Sequence, residues 1–202
     1  MRSKRTLSWL LVLTFLVAPS LLLSASAAQA ADQMVLQLRS MIVNMEKGRS
    51  EVLNINIERW SDPSELDRLK AVLVEQGEQK LLSALQSIEP RAGFLKMPSS
   101  MGWDIKFASQ TDLPDGTKKI VIITDRPLAM FEGRSAGDSK EYAFTLAEIH
   151  LDKNGGKKGE GKMVPGAKIT YNAATKTIEI ANYSREPVRL TKVEVVGPKA
   201  KK

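Results

Sequence analysis

Leu53-Asn54-Ile55-Asn56-Ile57-Glu58 alternates apolar and polar side chains one by one, and shortly afterwards Asp62-Pro63-Ser64-Glu65 ends that rhythm and starts another. Strict alternation places every second side chain on one face, so the first stretch reads as a strand buried on one side. In the second, Asp62 is an N-cap candidate, Pro63 fits the first helical position, and Glu65 falls where a capping box needs its acid. Leu66, Leu69, Val72 and Leu73 then recur at helical spacing as far as Gly77. Leu81, Leu82, Leu85 and Ile88 repeat the pattern until Pro90 stops it. A strand followed by a helix-turn-helix pair over residues 62–89 is the prediction. The phrase describes shape only, because neither helix has the polar and basic face that reads a DNA groove.

Strand signals dominate on both sides of this junction. Upstream, Met34 to Met45 connects through Glu46-Lys47-Gly48-Arg49 to Glu51–Trp60, a hairpin whose tight turn Gly48 permits. Downstream come Ala92 to Met97, then Trp103, Ile105 and Phe107 alternating with Asp104, Lys106 and Ala108. Leu113-Pro-Asp-Gly116 turns the chain into the apolar run Lys119-Ile-Val-Ile-Ile-Thr124, which reads as a central strand. Further strands are expected over Glu141–Leu151, Lys158–Met163, Ala167–Tyr171, Thr177–Tyr183 and Val188–Val196. The expected fold is mainly β with a small α part: an antiparallel meander forming a barrel or a strongly curved sheet. The helix pair is inserted after the second strand, over one opening or face.

The N-terminus carries a different signal. Arg2, Lys4 and Arg5 precede an apolar stretch from Leu7 to Leu23, and Ala28-Gln29-Ala30 supplies the small-x-small pattern of a signal-peptidase site. Pro19 and Ser20 interrupt the stretch, which is short for a membrane span. The expected organisation is therefore a signal peptide over residues 1–30, one mainly-β domain over 31–198, and a basic disordered tail at 199–202. Localisation is expected to be periplasmic or secreted, with membrane contact only during export.

Removing 30 of 202 residues leaves 172, which fits a single core. Arg2, Lys4 and Arg5 leave with the leader, so 27 basic residues face 23 acidic ones, a net of +4. That balance is only mildly basic, and no basic helix appears, so nucleic acid is not an expected partner. The chain has no cysteine and one histidine, which excludes thiol chemistry and a multi-histidine zinc site. Neither a metal nor a cofactor is expected; Asp152-Lys-Asn154 opens like a calcium loop, but Lys157 and Met163 stand at its glycine and glutamate positions.

The densest cluster of functional residue types runs from Asp125 to Tyr142. Arg126, Phe131, Glu132, Arg134 and Tyr142, with Trp103 nearby in sequence pattern, are the candidate ligand-binding residues. Arginines on a loop with Gly133 and Gly137 are suited to clamp an anion, although such residues also make ordinary surface ion pairs. Glu148 and His150 share a strand face, but no serine stands in a nucleophile elbow, so the histidine reads as structural. Asp125, Glu132 and Glu148 are carboxylates for a hydrolase only if two of them lie at a defined separation.

Gly48-Arg49-Ser50, Ile57-Glu-Arg-Trp60-Ser61, Ile120-Val-Ile-Ile-Thr-Asp-Arg-Pro127, Tyr142-Ala-Phe-Thr-Leu-Ala-Glu148, Gly159-Glu-Gly-Lys162 and Glu186-Pro-Val-Arg-Leu190 together resemble a family of small secreted bacterial proteins. The resemblance spans nearly the whole mature chain and departs locally at Ala143, where family members carry proline. That family has no assigned activity, so the resemblance implies secretion and a single domain, and transfers no catalytic residue. The functional expectation is a non-enzymatic binding or interaction module taking a small or lipid-like ligand, in a pocket formed by the curved sheet and the helix pair, or an envelope protein; a solid, filled core would count against that pocket. The alternatives are a structural, protein-partner component without a pocket, recognisable by an apolar patch or open sheet edge, and a carboxylate-dependent hydrolase.

Overall fold

The computed structural model describes residues 34–44, 48–98, 100–128, 143–153, 157–172, 177–183 and 187–197. Residues 1–30, expected as a leader, the segment 129–142 and residues 199–202, expected as a tail, lie outside the described residues. Strands β1 (Leu36–Asn44) and β2 (Arg49–Ile57) come first, followed by helices α1 (Pro63–Gln76) and α2 (Glu78–Gln86). Then come β3 (Gly93–Lys96), β4 (Trp103–Asp112), β5 (Lys118–Thr124), β6 (Phe144–Leu151), β7 (Lys158–Asn172), β8 (Thr177–Tyr183) and β9 (Val188–Val195). The helix pair enters after the second strand, as the capping signal implies.

Local signals act where expected. Gly48 turns the β1–β2 hairpin at φ +58°, and Gly77 separates the two helices at φ +80°. Glu65 reaches back to accept the Asp62 backbone N–H at 3.1 Å, while Arg59 grips the same carboxylate at 2.9 and 3.0 Å. The acid thus fixes the start of α1 and ties it to the end of β2.

Strands β1 to β6 form the expected meander, each antiparallel to its neighbour in space. The ends then meet: β6 pairs with β7, β7 with β9, and β9 with β1. A closed antiparallel barrel of eight strands results, β1 to β7 plus β9, which decides between the barrel and the curved sheet. Its interior is solid. Leu38, Ile42, Leu53, Ile55, Ile105 and Leu190 are among the inward side chains with 0% exposure. Half-buried Trp60 and Trp103 pack against the same core.

One expectation needs correction. Lys158–Met163 and Ala167–Tyr171, read as two strands from the sequence, are one long strand, β7. Val164-Pro165-Gly166 looks like a break, because proline cannot donate to a ladder. The strand continues because its neighbours change at that point. Along one edge β7 pairs with β6, from Gly159 opposite Leu151 to Ala167 opposite Phe144. On the other edge Lys158 to Met163 pair with β9, and Ala167 to Asn172 pair with β8. Strands β8 and β9 therefore run end to end along one edge of β7. The proximal part closes the barrel, and the distal part, β8 with the second half of β7, extends beyond it.

The helices lie on a wall of the barrel, not over its mouth. Their apolar faces, with Leu69, Leu73, Leu81 and Leu85 buried, form a second core. Opposite them stand Phe107, Phe144 and the half-buried Ile123 and Leu146 on the outer barrel face, and Ile169 on the distal arm. Side chains of Glu78 and Lys106 help to fasten the helices. Glu78 accepts the Ile169 backbone N–H at 3.0 Å, and buried Lys106 donates to the Ile88 carbonyl at 3.3 Å and to Glu89 at 3.0 Å. The lysine charge thus sits at the carbonyl end of α2, where the helix dipole favours it.

After β5, Thr124 Oγ1 donates to the Arg126 carbonyl at 2.6 Å, and the chain turns Leu128 into the barrel core. The Leu128 N–H donates to Thr145 Oγ1 at 2.8 Å and to the Pro165 carbonyl at 3.0 Å. Leu128 is an internal plug, and its backbone stays satisfied while buried.

Candidate functional site

Among the described residues the barrel and the helix interface are filled, which corrects the expected pocket between sheet and helix pair and leaves surface grooves as the places where a ligand could sit. Two of them contain residues of chemical interest.

The first, about 340 Å³, runs along β3 and β4 and brings together Trp103 and Arg126, two of the residues singled out in the sequence. Arg126 Nη2 donates to the Gly102 carbonyl at 2.9 Å, and Gly102 takes φ +98° to present it. Arg91 lines the same groove but is committed. It makes a bidentate pair with Glu58 at 2.9 Å, reaches Asp104 at 2.8 Å, and lies 4.9 Å from the Phe94 ring centroid. The Glu58 hydrogen bonds, then Asp104, hold its guanidinium charged far above the usual range. A cation so engaged has little left for a ligand. Phe131, Glu132, Arg134 and Tyr142 lie outside the described residues.

The second groove, about 520 Å³, lies on the outer wall where the helix cover stops and the distal arm leaves the barrel. The β6–β7 register sets out its floor in rows: Leu146 opposite Val164, Glu148 opposite Lys162, and His150 opposite Glu160. The β7–β9 register adds Arg189 opposite Lys162. Ile180 of β8 and Pro187 complete the lining. One end is apolar and the other charged.

Glu148 holds the charged end together. It accepts from Lys119 at 3.0 Å and lies 2.7 Å from His150 Nε2, as the shared face of residues 148 and 150 implied. His150 first, and then Lys119, hold the Glu148 carboxyl below its ordinary value of 4.5 against some opposing burial. Arg59 does the same to Glu65. Both groups bind protons more weakly folded than unfolded, so their stabilisation is complete above about pH 4.5 and disappears as pH falls through their folded values. We expect urea midpoints to drop from pH 5 to pH 3, with a shallower drop in Glu65→Gln/Glu148→Gln. Parallel curves for the variant and the parent would show that these pairs carry no such linkage.

No family model, curated protein or solved structure matches this chain.

Of the carboxylates considered for hydrolysis, the two described ones, Asp125 and Glu148, do not form a pair. Ile123 stands opposite Leu146, so Asp125 and Glu148 lie four residues apart along the strands, roughly 13 Å at the usual rise. A glycosidase pair needs about 5 to 9.5 Å. Glu132 lies outside the described residues. Sequence reasoning missed Lys162, Ile180 and Arg189. The alternation in Gly159-Glu160-Gly161-Lys162 does place Glu160 and Lys162 on one face, but Arg189 joins them only through the barrel-closing register.

Proposed function

We propose that the protein is an exported, non-enzymatic binding module that holds a small or lipid-like ligand in the outer groove between β6, β7, β8 and β9. The observation that carries this reading is the external groove of about 520 Å³, within the range of small-molecule sites; the filled barrel core counts against the pocket expected between sheet and helices and moves the proposed site to the outer wall. Kinship with the secreted family it resembles, and cleavage after Ala30, belong to the same proposal. Native mass spectrometry of protein from the envelope fraction tests it. The expected spectrum shows a chain beginning at Ala31 with a co-purifying small molecule, lost in Ile180→Glu, which puts a carboxylate on the apolar wall. A bare protein whose groove also takes up no hydrophobic fluorophore would end the reading.

A second reading has its own observation. Among the described residues, strand β8 is hydrogen-bonded only to β7, which leaves its other edge unpaired there, an edge of the kind partner strands use. A stoichiometric protein partner or dimer in the same spectrum would favour a structural role in the envelope.

A further inference from the structure

We infer that the ligand of the outer groove is an anionic amphiphile, with its phosphate or carboxylate between Lys162 and Arg189 and its apolar chain along Val164, Leu146 and Ile180. This rests on the proposal that the groove is the binding site, and it adds the ligand's chemical class.

Lys162 and Arg189 stand directly opposite each other on adjacent antiparallel strands. Inward-facing Met163, Val188 and Leu190 flank them, so period-2 alternation turns both cations to the outer face. Like charges directly opposite each other destabilise the strand pairing. Elsewhere on this wall a cation is neutralised: Lys119 has Glu148 at 3.0 Å. Among the described residues, Lys162 and Arg189 have no such partner. Glu148, in the same row as Lys162, is already bonded to Lys119 and His150. An anion lying between the two cations would remove the repulsion.

The apolar half fixes the rest of the ligand. One pleat beyond Lys162 on the outward face lies Val164, paired with Leu146. Ile180, 40% exposed, rises beside them from the distal arm. One pleat to the other side of Lys162 stands Glu160, and Glu148 stands beside Lys162 in its own row on the side away from Arg189; both repel an anion. The head is thus held at the cation pair and the chain is directed toward the Leu146–Val164 end.

The test uses the full mature protein and three octyl amphiphiles that differ only in the head, plus inorganic phosphate, followed by titration calorimetry. Octyl phosphate should bind about tenfold or more tighter than octyl glucoside, the equivalent of about 1.4 kcal/mol. Octyltrimethylammonium should be weaker still, and inorganic phosphate alone much weaker than octyl phosphate. Lys162→Glu/Arg189→Glu should abolish the preference for phosphate, and the neutral Lys162→Gln/Arg189→Gln should reduce it. Both positions are exposed, so these variants should keep the parent's melting behaviour. Equal affinity for phosphate and glucoside heads would overturn the charge assignment while leaving the groove a binding site. Inorganic phosphate binding as tightly as octyl phosphate would overturn the amphiphile assignment. If none of the three amphiphiles binds, the groove reading itself fails.

Discussion

Phe144→Ala should cost about 4 kcal/mol of folding stability, the range measured for large aromatics removed from closed cores. Phe144 has 0% exposure and starts β6 on the outer face of the barrel, directly beneath the helix pair. Its ring meets a cluster that includes Leu69, Leu73, Leu81, Leu85 and Ile169, so truncation leaves a cavity bounded by two helices, the distal arm and the wall. None of those elements can collapse into it alone, because Lys106 and Glu78 hold the helices by polar contacts. Urea denaturation should show a lower midpoint, and amide exchange should accelerate in α1 and α2 before it does in β2 or β5. A loss under about 1 kcal/mol would mean that the helices are not held by this core.

Gly159→Ala should be nearly as damaging, at about 3 kcal/mol, through overpacking and not through a lost contact. A Cβ at this position would lie 2.2 Å from the His150 carbonyl oxygen and 3.0 Å from its carbon, both rigid backbone atoms of the neighbouring strand. The close approach coincides with a register shift on the β9 side between Gly159 and Gly161, where β7 bends to close the barrel. Gly161 meets the same obstacle, with a Cβ 2.5 Å from the Glu148 carbonyl oxygen. Gly197→Ala is the control: nothing lies within 4 Å of its added Cβ, and the change should stay within about 0.5 kcal/mol. If Gly159→Ala melts like the parent, β7 has slack that this packing does not show.

What the sequence made legible was local. Alternation in Leu53–Glu58, the capping signal at Asp62–Glu65 and the turn glycines each act within a few residues, and each appears where it was read. The apolar positions read at helical spacing from Leu66 to Ile88 face the second core for the same reason, whereas Val74, off that spacing, is 52% exposed. The continuity of β7 was not legible, since Val164-Pro165-Gly166 carries every local mark of a break. Only the partner exchange from β9 to β8 keeps the strand going. The groove was hidden in the same way. Glycines, arginines and aromatics pointed to 125–142, whereas Lys162, Ile180 and Arg189 are unremarkable until the β7–β9 register sets two cations side by side. Trp103 and Arg126 do share a groove, yet the arginine beside them is already satisfied by Glu58 and Asp104.

The seam between β1 and β9 governs the order in which the molecule can be finished. Thr191 donates to the Met41 carbonyl across a separation of 150 residues, and Val196 likewise donates to Gln37. Contacts that distant carry a large loop-closure cost, which slows their formation. Until β9 arrives, the first strand keeps one edge bare and the interior is open on that side. For a chain threaded through a membrane N-terminus first, as proposed above, the last strand to emerge is the stave that closes the cask. Everything upstream would then remain pliable during passage and become rigid only on the far side.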